Sequence, residues 1–204
     1  GSFDNTSGSA ITVTGNKPQL WNADFAFTGN NNLDLGTGTV TLSGDGDRSV
    51  IPGGPGDTLI VGEIKSSLQG LNLSGGGTLV ATSTGAFTNA SNIAGTLTLG
   101  SGTTLQINRS TANSDATTGD FVATGLTGTG TVCNGAAATE RSIQVNNTVD
   151  CTFGGTIADG GAAKLALNKQ GTGTLFLTGN STYTGPTVVG GGILNVSTSN
   201  ALGN

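Results

Sequence analysis

The sequence predicts an all-β solenoid, and three observations lead there. Short apolar alternations recur along the chain, Leu175 with Leu177 and Leu194 with Val196 among them. Residues i and i+2 of a strand share a face, so each pair sends two apolar side chains one way. Two such strands bury too little to stand alone and need copies stacked on them. Glycine supplies the punctuation, with 37 residues of 204 set largely between the alternations. Rings are scarce: Met is absent, Trp and Tyr occur once each, and there are 7 Phe. A narrow solenoid core is filled by small and branched side chains, whereas a compact sandwich uses more rings. No pattern of helical period persists; Ala136–Arg141 has room for one helical turn.

The elements follow in chain order. Ile11 and Val13 alternate, and Trp21, Ala23, Phe25 and Phe27 fall on one face of an extended segment. An alternating aromatic row is first a core signal, so these residues are expected to fill one end of the core. A short motif then recurs. GTGTV occupies 36–40 and 128–132, GTGTL occupies 171–175, and GGGTL occupies 75–79. The last positions are 40, 79, 132 and 175, giving gaps of 39, 53 and 43. Each gap is about twice the ~20-residue lower end of repeat periods, so each motif is read as marking two turns. The expected solenoid then has about ten coils and a length of about 50 Å. Further strands are expected at 59–64, 71–73, 96–99, 104–107, 142–145 and 164–167. Two stretches read as loops: polar Asn108–Asp120, and Gly44–Asp57 with three acidic residues. One domain spans 1–204.

Composition excludes some partners. Net charge is −5 with a pI near 4.3, and 7 Lys and Arg cannot line a phosphate backbone. No nucleic acid is expected, and anionic membranes are disfavoured for the same reason. No run approaches the ~18–20 apolar residues of a membrane span, and no charged-then-apolar leader opens the chain. Gly1-Ser2 fits a cloning scar and Asn204 follows directly on a repeat, so the chain reads as a piece of a longer protein.

The stretch from Lys169 carries a recognisable order of residues. Lys169 is followed by Gly171, Gly173, Leu175, Leu177 and Gly179, then Ser181-Thr182-Tyr183-Thr184-Gly185, then Gly192, Leu194 and Val196, then Ala201-Leu202-Gly203. Phe153–Asp159 precedes it as a lead-in. This order resembles the autotransporter-associated β-strand repeat of type V secreted passenger domains. Ser181 stands where the family usually has Asn, and Pro186 follows Tyr-Thr-Gly. The resemblance covers 153–204. It implies a right-handed parallel β-helix outside a Gram-negative outer membrane, with a C-terminal membrane barrel outside this fragment. For 153–204 it implies a core for folding and secretion. It implies no particular activity.

The chemistry is sparse. The chain has no His, which removes Ser-His-Asp catalysis and His-ligated zinc. A polysaccharide-cleaving β-helix would need converging carboxylates. Asp45, Asp47 and Asp57 form the one tight acidic group, while Asp150 and Asp159 are isolated, so no enzyme, catalytic residue or cofactor is expected. Gly53–Leu59 is similar to a β-roll calcium nonapeptide with one residue missing, which makes Asp45, Asp47 and Asp57 a calcium candidate. Phe176 and Ile193 should point outward beside inward Leu175, Leu177 and Leu194, as a contact patch. Cys133 and Cys151, the two cysteines, are 18 positions apart, close to one ~20-residue coil, and are expected to form a disulfide in an oxidising exterior. The reading is an adhesin, autoaggregation surface or stalk. Its partners would be a host or neighbouring-cell surface, glycans or itself, and the rod would be a monomer or weakly self-associating. The alternatives are a polysaccharide-cleaving enzyme and a pure spacer.

Overall fold

The computed structural model describes residues 1–83, 91–109, 119–135 and 139–204. Among them there is no helix, and every paired strand runs parallel to its neighbours. The chain winds as a parallel β-solenoid of about seven turns. The coils lay strands on three faces, and the last described strand of the second face is Thr156–Ala158. The first face includes Arg48–Ile51, Leu71–Leu73, the end of Ser91–Leu99, Cys151–Phe153 and Thr174–Leu177. The second runs through Thr58–Val61, Thr78–Ser83, Thr104–Arg109, Thr131–Asn134 and Thr156–Ala158. The third includes Gln19–Trp21, Val40–Leu42, Arg141–Val145 and Leu165–Lys169. At ~4.8 Å per coil, seven turns span roughly 35 Å.

The alternation read from the sequence sets the inside and the outside. On the second face Leu59, Leu79, Leu105, Val132 and Ile157 stack in register and are buried. On the first face Leu71, Leu97 and Leu126 stack the same way. Fully burying one such side chain stabilises by about 1.5–3 kcal/mol. The residues between them point out. Thr58, Thr78, Thr104, Thr131 and Thr156 form an unbroken outward column on five successive coils.

The coil count corrects the expected ten. Coils are longer and more variable than a ~20-residue repeat: Leu175 pairs with Leu194, 19 residues on, and Asn92 pairs with Val122, 30 residues on. The recurring Gly-Thr-Gly-Thr motif misled because it marks the start of a strand, not a fixed place in the coil. Val40 lies on the third face, Leu79 and Val132 on the second, and Leu175 on the first. The aromatic row is also split. Trp21 and Phe27 are buried, but Gln19–Trp21 and Phe25–Phe27 lie on different faces, and Ala23 in the corner between them is exposed. The Trp21 and Phe25 rings meet edge to face at 4.7 Å.

Of the two expected loops, Asn108–Asp120 begins inside a strand that runs to Arg109 and ends at buried Asp120; 110–118 lies outside the described residues. The expected helical turn at Ala136–Arg141 falls partly on 136–138, also outside them, and Arg141 itself opens a strand. Gly44–Asp57 is not one loop, because Arg48–Ile51 is a strand of the first face.

Corners between faces require backbones to pass close together. Gly130, Gly155 and Gly179 succeed one another at the corner leading off the first face. A Cβ at Gly155 would overlap the Gly130 carbonyl oxygen and lie 2.5 Å from the Phe153 ring. Gly155→Ala is therefore expected to cost about 2 kcal/mol by overpacking, while Thr129→Ala at the exposed side of the corner stays within about 0.5 kcal/mol. Urea unfolding measures both, and equal midpoints for the two variants would show that close approach does not set the coil spacing.

Candidate functional site

The main departure from regular winding lies between the third and first faces. Ser91–Leu99 and Phe121–Gly128 are long strands that run from one face to the next without a turn. Their pairing shifts between Ile93 and Thr96, where Ala94 and Gly95 bulge opposite Thr124. Such bulges re-aim side chains. The next coil does have a turn there, between Arg141–Val145 and Cys151–Phe153. Asn147 holds that turn outward. Its buried amide donates to the Val149 and Thr174 carbonyls at 2.9 Å each. Asp150 Oδ1 accepts from the Thr174 backbone N–H at 2.7 Å. The tip is exposed, with Val149 76% accessible.

A straight corner followed by a protruding turn makes a step, and the step encloses a cleft of about 460 Å³. Thr96, Thr124, Gly125 and Thr127 lie along the two long strands, and Thr148 to Thr152 come from the turn and its strand. Two hydroxyls are used internally: Thr124 donates to the Ala94 carbonyl at 3.0 Å, and Thr127 bonds Thr98 at 2.9 Å. The hydroxyls of Thr96, Thr148 and Thr152 have no hydrogen-bond partner among the described residues. Asp150 is the one charged residue of the lining. Nothing in the linear order of residues signals this cleft. Its threonines come from three coils, and only the register brings them together.

The expected calcium group does not converge. Asp45 and Asp47 border a small cleft of about 170 Å³ with Gln69, but Asp47 Oδ1 accepts from Gly70 N–H at 2.7 Å. The Arg48 guanidinium donates to the carbonyls of Asn22, Asp45 and Gly46, so the loop already holds a cation of the chain. Asp57 closes a separate turn through the Gly54 N–H at 2.9 Å. Among the described residues no three His, Cys, Asp or Glu are grouped to hold a metal ion. Phe176 and Ile193 both sit on outward positions of the first face. Ile193 pairs with Thr174 and Phe176 with Asn195; Phe176 is half-buried and Ile193 is 59% accessible.

The disulfide is not formed: both cysteines are free. The ladder explains why. Cys133 pairs with Ala158 on the second face, 25 residues on, and Cys151 pairs with Leu175 on the first face, 24 residues on. A separation of 18 is less than one coil and ends on another face. Cys151 packs against the core, while Cys133 stands between buried Val132 and Asn134 on the outward side. Between them Asn134, Ile143 and Val145 are buried, while the tip at 148–150 is exposed.

The repeat from Lys169 is accounted for by packing. Lys169 is buried, and its ammonium donates to the carbonyls of Gln170, Gly171 and Gly191 at the corner after the third face. Burial lowers its pKa, with nearby Cys151 opposing. Tyr183 is buried and its hydroxyl bonds the Thr187 hydroxyl at 2.7 Å. Gly203, with φ +74°, lies so close to the Tyr183 backbone that a Cβ would overlap it.

The solenoid carries a repeat similar to that of autotransporter passenger domains. Residues 167–196 match the passenger-associated-transport-repeat. A 57-residue stretch is 44% identical to the adhesin BmaC autotransporter of Brucella suis biovar 1 (strain 1330). That match covers 28% of this chain and 2% of the relative, so the chain spans a small fraction of the relative's length. No solved structure matches this chain.

The thiols provide a direct check on the ladder. Burial pushes Cys133 up to about 11 and also raises Cys151, the latter opposed by a Leu126 backbone hydrogen bond and Lys169 and reinforced by Asp150. The thiolate is the nucleophile, so a raised pKa leaves both protonated at pH 8. Iodoacetamide at pH 8 is expected to label the native chain slowly. In denaturant without reductant it should add two groups, read by intact mass. A mass with no label under those conditions would restore the bridge.

Proposed function

We propose that this chain is a surface-displayed, non-enzymatic passenger segment that adheres to a neighbouring cell or host surface outside a Gram-negative bacterium. The observation that carries this reading is the outward column Thr58, Thr78, Thr104, Thr131 and Thr156 on successive coils. It offers one hydroxyl and one methyl every ~4.8 Å along a rigid face. A single neutral hydrogen bond nets about 1 kcal/mol, so such a face binds through repetition along the rod. The name of the Brucella relative points the same way. An enzyme would need two carboxylates flanking a substrate, and the lining of the larger cleft holds Asp150 alone. The partners proposed are glycans, cell-surface proteins or another copy, with the membrane barrel supplied by the rest of the protein.

Beads coated with the chain should be retained on epithelial or bacterial cells. Replacing the five threonines with Val keeps the branched shape and removes the hydroxyls. Retention should fall at least about tenfold while the circular dichroism stays unchanged. If the unaltered chain retains no beads, the spacer reading takes its place.

For 153–204 we propose a folding and secretion core. Buried Leu165, Leu167, Leu175, Leu177 and Tyr183 support it. The terminal strand Ile193–Val196 is less covered, with Val196 45% accessible, because no described coil lies beyond it. Hydrogen exchange should be slowest at Leu165–Lys169 and Thr174–Leu177, since protection follows buried contacts. Faster exchange there than at Val40–Leu42 would remove this role.

A further inference from the structure

We propose that the cleft beside the Asn146–Asp150 turn binds a neutral oligosaccharide. This rests on the adhesive reading and gives it a defined site, away from the threonine column of the second face. The volume, about 460 Å³, lies within the ~300–1,000 Å³ usual for small-ligand sites.

The lining selects the ligand class. It contains no Lys or Arg, so nothing there offsets the charge of a sulfated, phosphorylated or sialylated group. Asp150 would repel such a group. Asp150 Oδ1 is tied to Thr174 N–H, which fixes the carboxylate and leaves Oδ2 to accept from a sugar hydroxyl in a charge-assisted bond. Three hydroxyls, on Thr96, Thr148 and Thr152, have no partner among the described residues, and each can both donate and accept. Val149, mostly exposed at the tip of the turn, offers an apolar surface to the C–H face of a pyranose ring.

Gly125 lets the Thr96 side chain pack down onto the floor: a Cβ there would lie 2.8 Å from Thr96 Oγ1. An extended peptide has a short edge to add to: Phe121–Gly128 is paired with the next coil at 121–123 and again at Gly128, which leaves 124–127 without a ladder partner on that side.

Amide NMR titration of the whole chain tests the site. The neutral probes are chitotriose, maltotriose and N-acetyllactosamine; the anionic probe is sialyllactose. At least one neutral probe should shift Thr96, Gly125, Thr127 and Thr148–Thr152, saturating in the millimolar range, while sialyllactose does not. Asp150→Asn keeps the acceptor for Thr174 and removes the charge, and should weaken binding about tenfold. Gly125→Val fills the floor and should abolish it; Thr41→Val, at an exposed position of the third face, should leave it unchanged. The proposal is overturned if no neutral probe moves these amides at about 20 mM, if sialyllactose binds as tightly, or if Asp150→Asn binds as well as the parent. Bead retention separates the two readings. Retention without cleft binding removes the glycan site and leaves adhesion standing, and cleft binding without retention does the reverse.

Discussion

The structure depends on one constraint, the in-register stacking of parallel strands coil upon coil. Every strand end must hand the chain to the next face at the same height as the coil before. Faces satisfy this easily, because a ladder of Leu, Ile and Val repeats without adjustment. Corners do not. There the backbone turns, peptide groups leave the ladder, and the preceding coil presses from one side. Glycine is therefore concentrated at corners such as Gly130, Gly155 and Gly179, where a methyl would meet a carbonyl or a ring.

The same pressure explains why polar side chains are buried. Backbone groups that turn inward need partners, and the core supplies them from within the coil. The buried amide of Asn134 donates to the carbonyls of Thr139 and Lys164, and that of Asn147 to Val149 and Thr174. Lys169 does this with an ammonium. At the corner between the second and third faces Arg109 and Asp120 form a buried pair at 2.9 Å, and Asp120 Oδ2 also accepts from the Ser142 N–H. Arg141 joins that corner by donating to the Arg109 carbonyl; burial lowers its pKa, Asp120 opposes this and Arg109 adds to it. A buried pair of this kind adds little to stability over an apolar replacement, but losing one partner strands a charge. These groups fix which corner carbonyl faces which coil.

This division sets what the sequence can reveal. Alternation on a face depends on nearest neighbours, so Leu175 with Leu177 and Leu105 with Ile107 are readable as strands from the residues alone. Coil length depends on the corners, and corners differ. The Gly-Thr-Gly-Thr motif starts strands on all three faces, so its spacing carries no coil length. Trp21 and Phe25 alternate on paper, yet Asn22–Asp24 turns the chain between them. Cys133 and Cys151 are one turn apart only on a ~20-residue coil, while the local register needs 24 or 25 residues. The cleft was invisible for the same reason: Thr96, Thr127 and Thr152 become neighbours only once the register is known. Asp150, isolated in the sequence, is the charged member of that lining.

Binding capacity in such a rod divides the same way. A regular face presents one chemistry many times, which gives avidity and little selectivity, since each coil offers the same hydroxyl to any partner. Selectivity requires a place where successive coils differ. Here two coils omit the turn between the third and first faces and the next restores it, so a flat surface becomes a step with a floor, a wall and one carboxylate. The change costs the core little. Leu97 and Leu126 stay buried beneath the floor, and Phe153 stays buried below the turn opposite Gly128. A solenoid thus alters a corner without disturbing the ladder beneath it, and a corner can differ in chemistry from coil to coil where a face repeats.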